Sequence, residues 1–419
     1  MLNVPNKTES RGLAPTLVLA LGTFAVGTDA FVVAGFLPDL AASLQVTEAA
    51  AGQSVTVFAV AYAVSSPVLA TVAARVPRRA LLVTALVVLG LANLGSALAP
   101  SFPVLVVSRV LAAAGAAAYT PGAGAVAAVL VRPELRARAL AVVVGGLTVA
   151  TALGVPLGDL AGERLGWRYA LGAVAVACLA VAAGVYSIMP VLPGAPRVPL
   201  RTRLDVLRRP AVRAILPLTV LGMAGSYTVY AYSVPALRAV GVEGTAGMLF
   251  LYGLGAVLGN LAAGYATDRW GAHRVLPVAY LVMAVSLGLL AWTAAAGPAD
   301  GTADGPVGGP VGGPVGGPVG GPVGGTAVLV GVLVLAWGAS SWCQTPPQQH
   351  RLIAAAPVEA PLVVSLNSSA IYAGIGAGTL LGGLTLPSGA ALTYATGAAL
   401  AAVALLFALA TRSAGGASE

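Results

Sequence analysis

Leu17-Val-Leu-Ala-Leu-Gly-Thr-Phe-Ala-Val-Gly-Thr-Asp29-Ala-Phe-Val-Val-Ala-Gly-Phe36 decides what kind of chain this is. Nineteen of these twenty side chains carry no charge. About 20 mostly apolar residues are what an α-helix needs to cross the hydrocarbon core of a bilayer. The run is too long for the apolar region of a signal peptide, and no small-residue cleavage site breaks it early. It therefore reads as a retained first span. Similar stretches recur along the chain, and the pattern predicts twelve spans, at about 14–36, 50–73, 80–98, 103–130, 138–160, 169–189, 212–236, 245–267, 274–296, 327–346, 360–385 and 388–411.

Composition points the same way. Of 419 residues, 58% are hydrophobic and only 9% charged, against roughly 25% charged in an average soluble protein. So few charges could not cover a water-exposed surface of this size, which excludes soluble domains and disorder alike. Cys178 and Cys343 sit within apolar stretches and imply neither a disulfide framework nor a metal site. His273 and His350 each adjoin an arginine in polar connections, a poor setting for a ligand or a catalytic base. No Gly-x-x-x-x-Gly-Lys-Ser/Thr phosphate loop occurs, so ATP is not the expected energy source.

The net charge of +8 is informative through its distribution. With the N-terminus placed in the cytoplasm, 18 Lys and Arg fall in connections on that side, and three (Arg164, Arg168 and Arg238) on the other. Such a bias orients membrane proteins, so both termini are expected in the cytoplasm. The basic balance is thus an orientation signal, and nucleic acid is not an expected partner. A Pro- and Arg-rich connection at 190–211 divides the chain into two six-span halves, 1–189 and 212–419. Residues 306–325 are five tandem Pro-Val-Gly-Gly units, which cannot hold a helix and are expected to form a flexible external loop.

Two halves of six spans suggest a duplicated transporter. Gly264-Tyr-Ala-Thr-Asp268-Arg269-Trp-Gly271-Ala-His273-Arg274 follows span eight, and Ala70-Thr-Val-Ala-Ala74-Arg75-Val-Pro77-Arg78-Arg79 follows span two, 194 residues earlier. The arginine and the trailing basic cluster stay in register.

Charges inside spans are scarce and costly, on the order of 2.5–3.5 kcal/mol each at a helix centre. Asp29 lies nine residues before Pro38 and Arg109 six residues past Pro103, or roughly 13 Å and 9 Å along their helices. The two are therefore expected at matched depth in spans one and four, where they could neutralise each other or exchange partners with a proton. Asp159 is expected as a solvated end of span five. Tyr230, Tyr232, Asn260 and Asn367 are possible cavity residues. Tyr230 and Tyr232 project about 200° apart, so at most one should face a cavity squarely. Few convergent amides and charges are present, which favours an amphipathic or lipophilic compound over a sugar.

The Gly264–Arg274 stretch resembles the cytoplasmic loop motif of the major facilitator superfamily; Ala70, Ala74 and Pro77 depart from it in the first half. Further stretches resemble the drug:proton antiporter branch, with its arabinose-efflux-like and chloramphenicol-resistance-like members. These are Gly22–Pro38 in span one, Gly154-Val-Pro156-Leu-Gly158 followed by Gly166-Trp167-Arg168 at span five, Tyr230-Ala-Tyr232-Ser-Val-Pro235 at span seven, and Gln349-His-Arg351-Leu352 between spans ten and eleven. The resemblance implies an all-α polytopic membrane protein with twelve transmembrane helices in two pseudo-symmetric six-helix halves. It implies a monomeric exporter in a bacterial-type plasma (inner) membrane, not an enzyme, with no metal and no cofactor beyond the proton gradient. Its partners would be protons, lipids and a small-molecule substrate such as a drug. Arg109 would serve proton coupling and Asp29 substrate or proton binding. Gly154, Pro156 and Gly158 would form the antiporter element, and Gly264, Asp268, Arg269, Gly271 and Arg274 a cytoplasmic gate. Export of a sugar or metabolite is the alternative within transport, and a membrane sensor the alternative outside it.

Overall fold

A computed structural model describes residues 14–132, 136–194, 201, 205–242, 244–296, 323–357 and 359–415. Among them are twelve helices long and apolar enough to cross a membrane: Pro15–Ala34, Glu48–Val72, Arg78–Ala97, Phe102–Leu130, Ala141–Gly162, Trp167–Ile188, Pro210–Tyr230, Thr245–Trp270, Ala272–Ala296, Ala327–Ala355, Leu362–Ser388 and Ala390–Thr411. The chain is an all-helical, multi-pass membrane protein. Helices satisfy their own backbone hydrogen bonds, which lipid cannot do for them.

The packing repeats. In the first half span one lies against five, two against four, three against four and six, and one against six. In the second half seven lies against eleven, eight against ten, nine against ten and twelve, and seven against twelve. Adding six to each number converts one set into the other. Across the two halves, two packs on eleven and five on eight, which are also exchanged by that operation.

Glycines set how closely the helices approach. A Cβ on Gly255 would run into the Leu335 carbonyl, and one on Gly338 into that of Tyr252, so spans eight and ten touch through their backbones. Such contact is how helices associate where lipid removes the hydrophobic drive. Gly271, at φ +79°, allows span eight to turn into span nine through one residue. The turns between spans two and three and between eight and nine lie on one face, together with Arg75, Arg78, Arg269 and Arg274; it is called the basic face below.

Several boundaries differ from expectation, two of them here. Helix continues past position 346: Gln344 ends one segment, Pro346 and Pro347 occupy the first turn of Thr345–Ala355, and Gln349–Leu352 is helical. Proline is tolerated there because the first turn's N–H groups have no intrahelical partner. In the repeat, residues 306–322 lie outside the described residues, and 323–325 already belong to the helix Val323–Cys343. Residues 195–200 and 202–204 of the central connection are likewise outside the description.

Candidate functional site

Asp29 and Arg109 meet. Arg109 Nη1 lies 2.5 Å from Asp29 Oδ1, and both side chains are fully buried. Arg109 Nη2 donates to the Asp29 backbone carbonyl at 3.0 Å. Span one changes from α- to 3₁₀-helix just beyond, at Val32–Ala34. The pair is not saturated: among the described residues Asp29 Oδ2 and Arg109 Nε have no hydrogen-bond partner. An incompletely satisfied buried charge pair is expensive, and it retains a free carboxylate oxygen able to accept a proton.

Span five holds the Asp29 segment in place. A Cβ on Gly154 would strike Thr28 Oγ1, and one on Gly158 would strike the Val32 side chain. The motif glycines therefore pack on the residues flanking Asp29. Ala150–Gly154 forms a π-helical turn just before Pro156, where a missing N–H loosens the regular ladder.

From this pair an aromatic path leads to the boundary between the halves. The Arg109 guanidinium sits 4.5 Å from the Phe58 ring centroid. Phe58 and Tyr62 on span two both contact Tyr372 of span eleven, with Tyr62 and Tyr372 stacked at 3.6 Å between centroids. A second cluster joins Phe31 of span one to Tyr227, Tyr230 and Trp342 of the other half. Between them lies a cavity of about 90 Å³ whose lining includes Phe31, Tyr62, Thr120, Asn260, Trp342 and Tyr372. Behind Tyr230, Ser226 receives the Trp337 indole N–H at 3.0 Å and bonds to Ser341 at 2.6 Å and Tyr252 at 3.2 Å. This uncharged network fixes the wall of the second half.

The face opposite the basic one is sealed. Gln53 Nε2 donates to Tyr232 Oη at 3.2 Å, and Tyr232 Oη donates to the Thr379 carbonyl at 3.0 Å. Thr245 Oγ1 donates to Asp159 Oδ2 at 3.0 Å.

The structure thus sorts the expected site residues. Asn260 lines the cavity; Tyr230 does not, and packs edge-on behind Phe31, which does. Nor does Tyr232: span seven ends at Tyr230, and the following turn carries Tyr232 into the seal. Asn367 is buried and accepts from Thr219 Oγ1 at 3.2 Å, within the packing of spans seven and eleven. Asp159 corrects the expectation of a solvated helix end. The helix runs on to Leu165, so Asp159 lies inside it, 2% exposed, and joins the halves. Asp268 and Arg269 are exposed, and Arg269 Nη1 donates to Tyr265 Oη at 3.3 Å. No ion pair to Asp268 is found among the described residues. Arg274 lines a groove between spans eight, nine and ten. Sequence does not single out Phe58, Thr120 or Thr148: Phe58 shares a helix face with Tyr62 one turn on, which does not say which side of the span faces the cavity, and no local pattern marks Thr120 or Thr148. Among the described residues no three His, Cys, Asp or Glu gather as a metal site.

A duplicated bundle with a cavity at its internal boundary, sealed on one face, is the architecture of a membrane transporter. The chain belongs to the Major Facilitator Superfamily, whose family model matches residues 19–315. It is 37% identical over 300 residues to a chloramphenicol resistance protein of Streptomyces lividans, covering 68% of this chain and 73% of that one. It is 29% identical over 398 residues to the inner membrane transport protein YdhP of Escherichia coli, covering 94% of both. Among solved structures it resembles a D-xylose-proton symporter, with a TM-score of 0.70 at 17% identity over 94% of this chain and 96% of that one. At that identity the likeness speaks to fold alone.

Proposed function

We propose that the protein is a proton-driven exporter of a small, lipophilic, largely uncharged organic compound. The observation that carries this reading is the buried Asp29–Arg109 pair with one carboxylate oxygen left without a partner. When the sealed face opens, water and a proton reach Asp29. Protonation releases Arg109 from its partner, and the guanidinium stays over Phe58 while the Phe58–Tyr372–Tyr62 contacts between the halves rearrange. Loss of the proton at the basic face restores the pair and permits reloading. Proton and substrate thus alternate across one boundary, which is what couples an antiporter.

The lining supports the substrate class. Tyr, Trp and Phe rings and a few hydroxyl and amide groups surround the cavity, and the only buried ion pair found among the described residues is internally neutral. Such a wall suits a ring-bearing compound better than a polyol. The name of the Streptomyces relative points the same way, toward drug export. A bacterial inner membrane, cytoplasmic termini and a monomeric state complete this reading. In proteoliposomes containing a pH-sensitive dye, an exported compound should trigger proton movement. Asp29→Asn should abolish that movement while remaining in the membrane. Undiminished substrate-triggered proton flux in Asp29→Asn would refute the assignment of Asp29.

A further inference from the structure

On the lipid-facing side of the second half, spans eight, nine and ten enclose an apolar groove of about 370 Å³. It exists because two helices touch and then diverge. At Gly259 the backbone of span eight meets Ala339 of span ten, so closely that a Cβ would strike the Ala339 carbonyl. Toward the basic face the walls are Ala263, Ala266, Val275, Val278 and Cys343, side chains too small to close the gap. From Gly259 to Trp270 the groove follows eleven residues of helix, about 16 Å. That is close to half of the ~30 Å hydrocarbon thickness, the depth of one leaflet.

The mouth is basic. Arg274 lines it, and among the described residues its guanidinium has no ion-pair partner. Arg269 and His273 lie within a turn, and Trp270 is half-exposed, at the level where interfacial aromatics sit. Among the described residues of this turn, Asp268 is the acidic one set against these charges. The duplicated position in the first half behaves differently: Leu69, Leu81, Ala118 and Arg78 line a space of only about 120 Å³ between spans two, three and four. The fold supplies a cleft with a basic mouth twice, and bulky leucines occupy it once.

We propose that the groove between spans eight, nine and ten seats one acyl chain of an anionic phospholipid from the leaflet at the basic face, with the phosphate held by Arg274. Charge complementarity selects the headgroup, and the leaflet-deep apolar slot selects a chain over a free anion. The lipid bridges exactly the helix pair whose divergence makes the groove, so its occupancy follows the position of span eight relative to ten.

The test uses the purified full-length protein in detergent, offered phosphatidylglycerol or phosphatidylcholine with identical acyl chains, with retained lipid counted by native mass spectrometry. The wild type should retain one phosphatidylglycerol about tenfold better than phosphatidylcholine. Arg274→Gln should bring that preference close to unity. Ala266→Leu should lower retention of both lipids, whereas Ala118→Leu on the first-half counterpart should change neither. Melting temperatures confirm that each variant is folded, and Arg274→Gln decides alone if Ala266→Leu is not. Equal retention of the two lipids by the wild type, or a phosphatidylglycerol preference that survives Arg274→Gln, overturns the proposal.

Discussion

The two halves share one helix arrangement and divide the chemistry. The first half buries an acid and a base, Asp29 and Arg109, in direct contact at 2.5 Å. The second half buries hydroxyls, indoles and phenols instead: Ser226, Ser341, Tyr252 and Trp337 bond to one another without any formal charge. Duplication fixes where helices cross, since helix packing depends on small residues and register. It does not fix what the interior titrates. In the proposed function one half would respond to protons while the other presents an uncharged aromatic wall, and the boundary between them would be where the two ligands influence each other.

The comparison breaks most sharply at the ion pair. Asp29→Asn leaves Arg109 buried without its charge partner, and removal of one member of a buried pair typically costs about 3–5 kcal/mol. Export should fall at least ~100-fold, and thermal stability in detergent should drop. The double variant Asp29→Asn/Arg109→Gln should regain most of the stability and none of the transport. Recovery of export in the double variant would mean that the pair is purely structural.

A smaller loss is expected in span five. Gly154→Val forces a side chain into Thr28, and overpacking of this kind costs roughly 1–3 kcal/mol. Membrane-inserted, folded protein should decline, measured by size-exclusion chromatography, and export with it. At the boundary, Tyr372→Ala removes the stacking partner of Tyr62 and should weaken coupling about tenfold, seen as proton flux per exported molecule. Tyr372→Phe should retain it. In the aromatic cluster of the second half, Tyr230→Phe removes a hydroxyl that makes no hydrogen bond among the described residues. It should shift substrate KM only a few-fold and leave proton flux intact; a proton defect there would mean that the halves do not divide the work as described.

The mildest effect concerns the seal. Thr245→Val deletes the donor to Asp159, a bond worth about 1 kcal/mol, equivalent to roughly a fivefold shift in an equilibrium. Labelling of a cysteine placed near Thr379 by a membrane-impermeant reagent should speed up by about that factor.

Much of this was legible along the chain. Apolar run length marked the spans, and the scarcity of charge singled out Asp29 and Arg109, because an ionised side chain in lipid is tolerated only with a partner. Tyr232 and Asp159 were not legible. Both lie near span ends, where one turn more or less of helix decides between cavity, seal and water, and run length does not resolve one turn.

By itself the sequence determined the solvent of the chain, the number of spans and the acid and base that must meet, since these follow from transfer free energies summed locally along each helix. Tertiary structure alone decided that Tyr372 stacks on Tyr62, that Asp159 bonds Thr245 across the halves, and that one duplicated cleft is open while the other is filled. Those outcomes depend on which helix faces meet and how closely, and helix packing sets that through residues far apart in the chain.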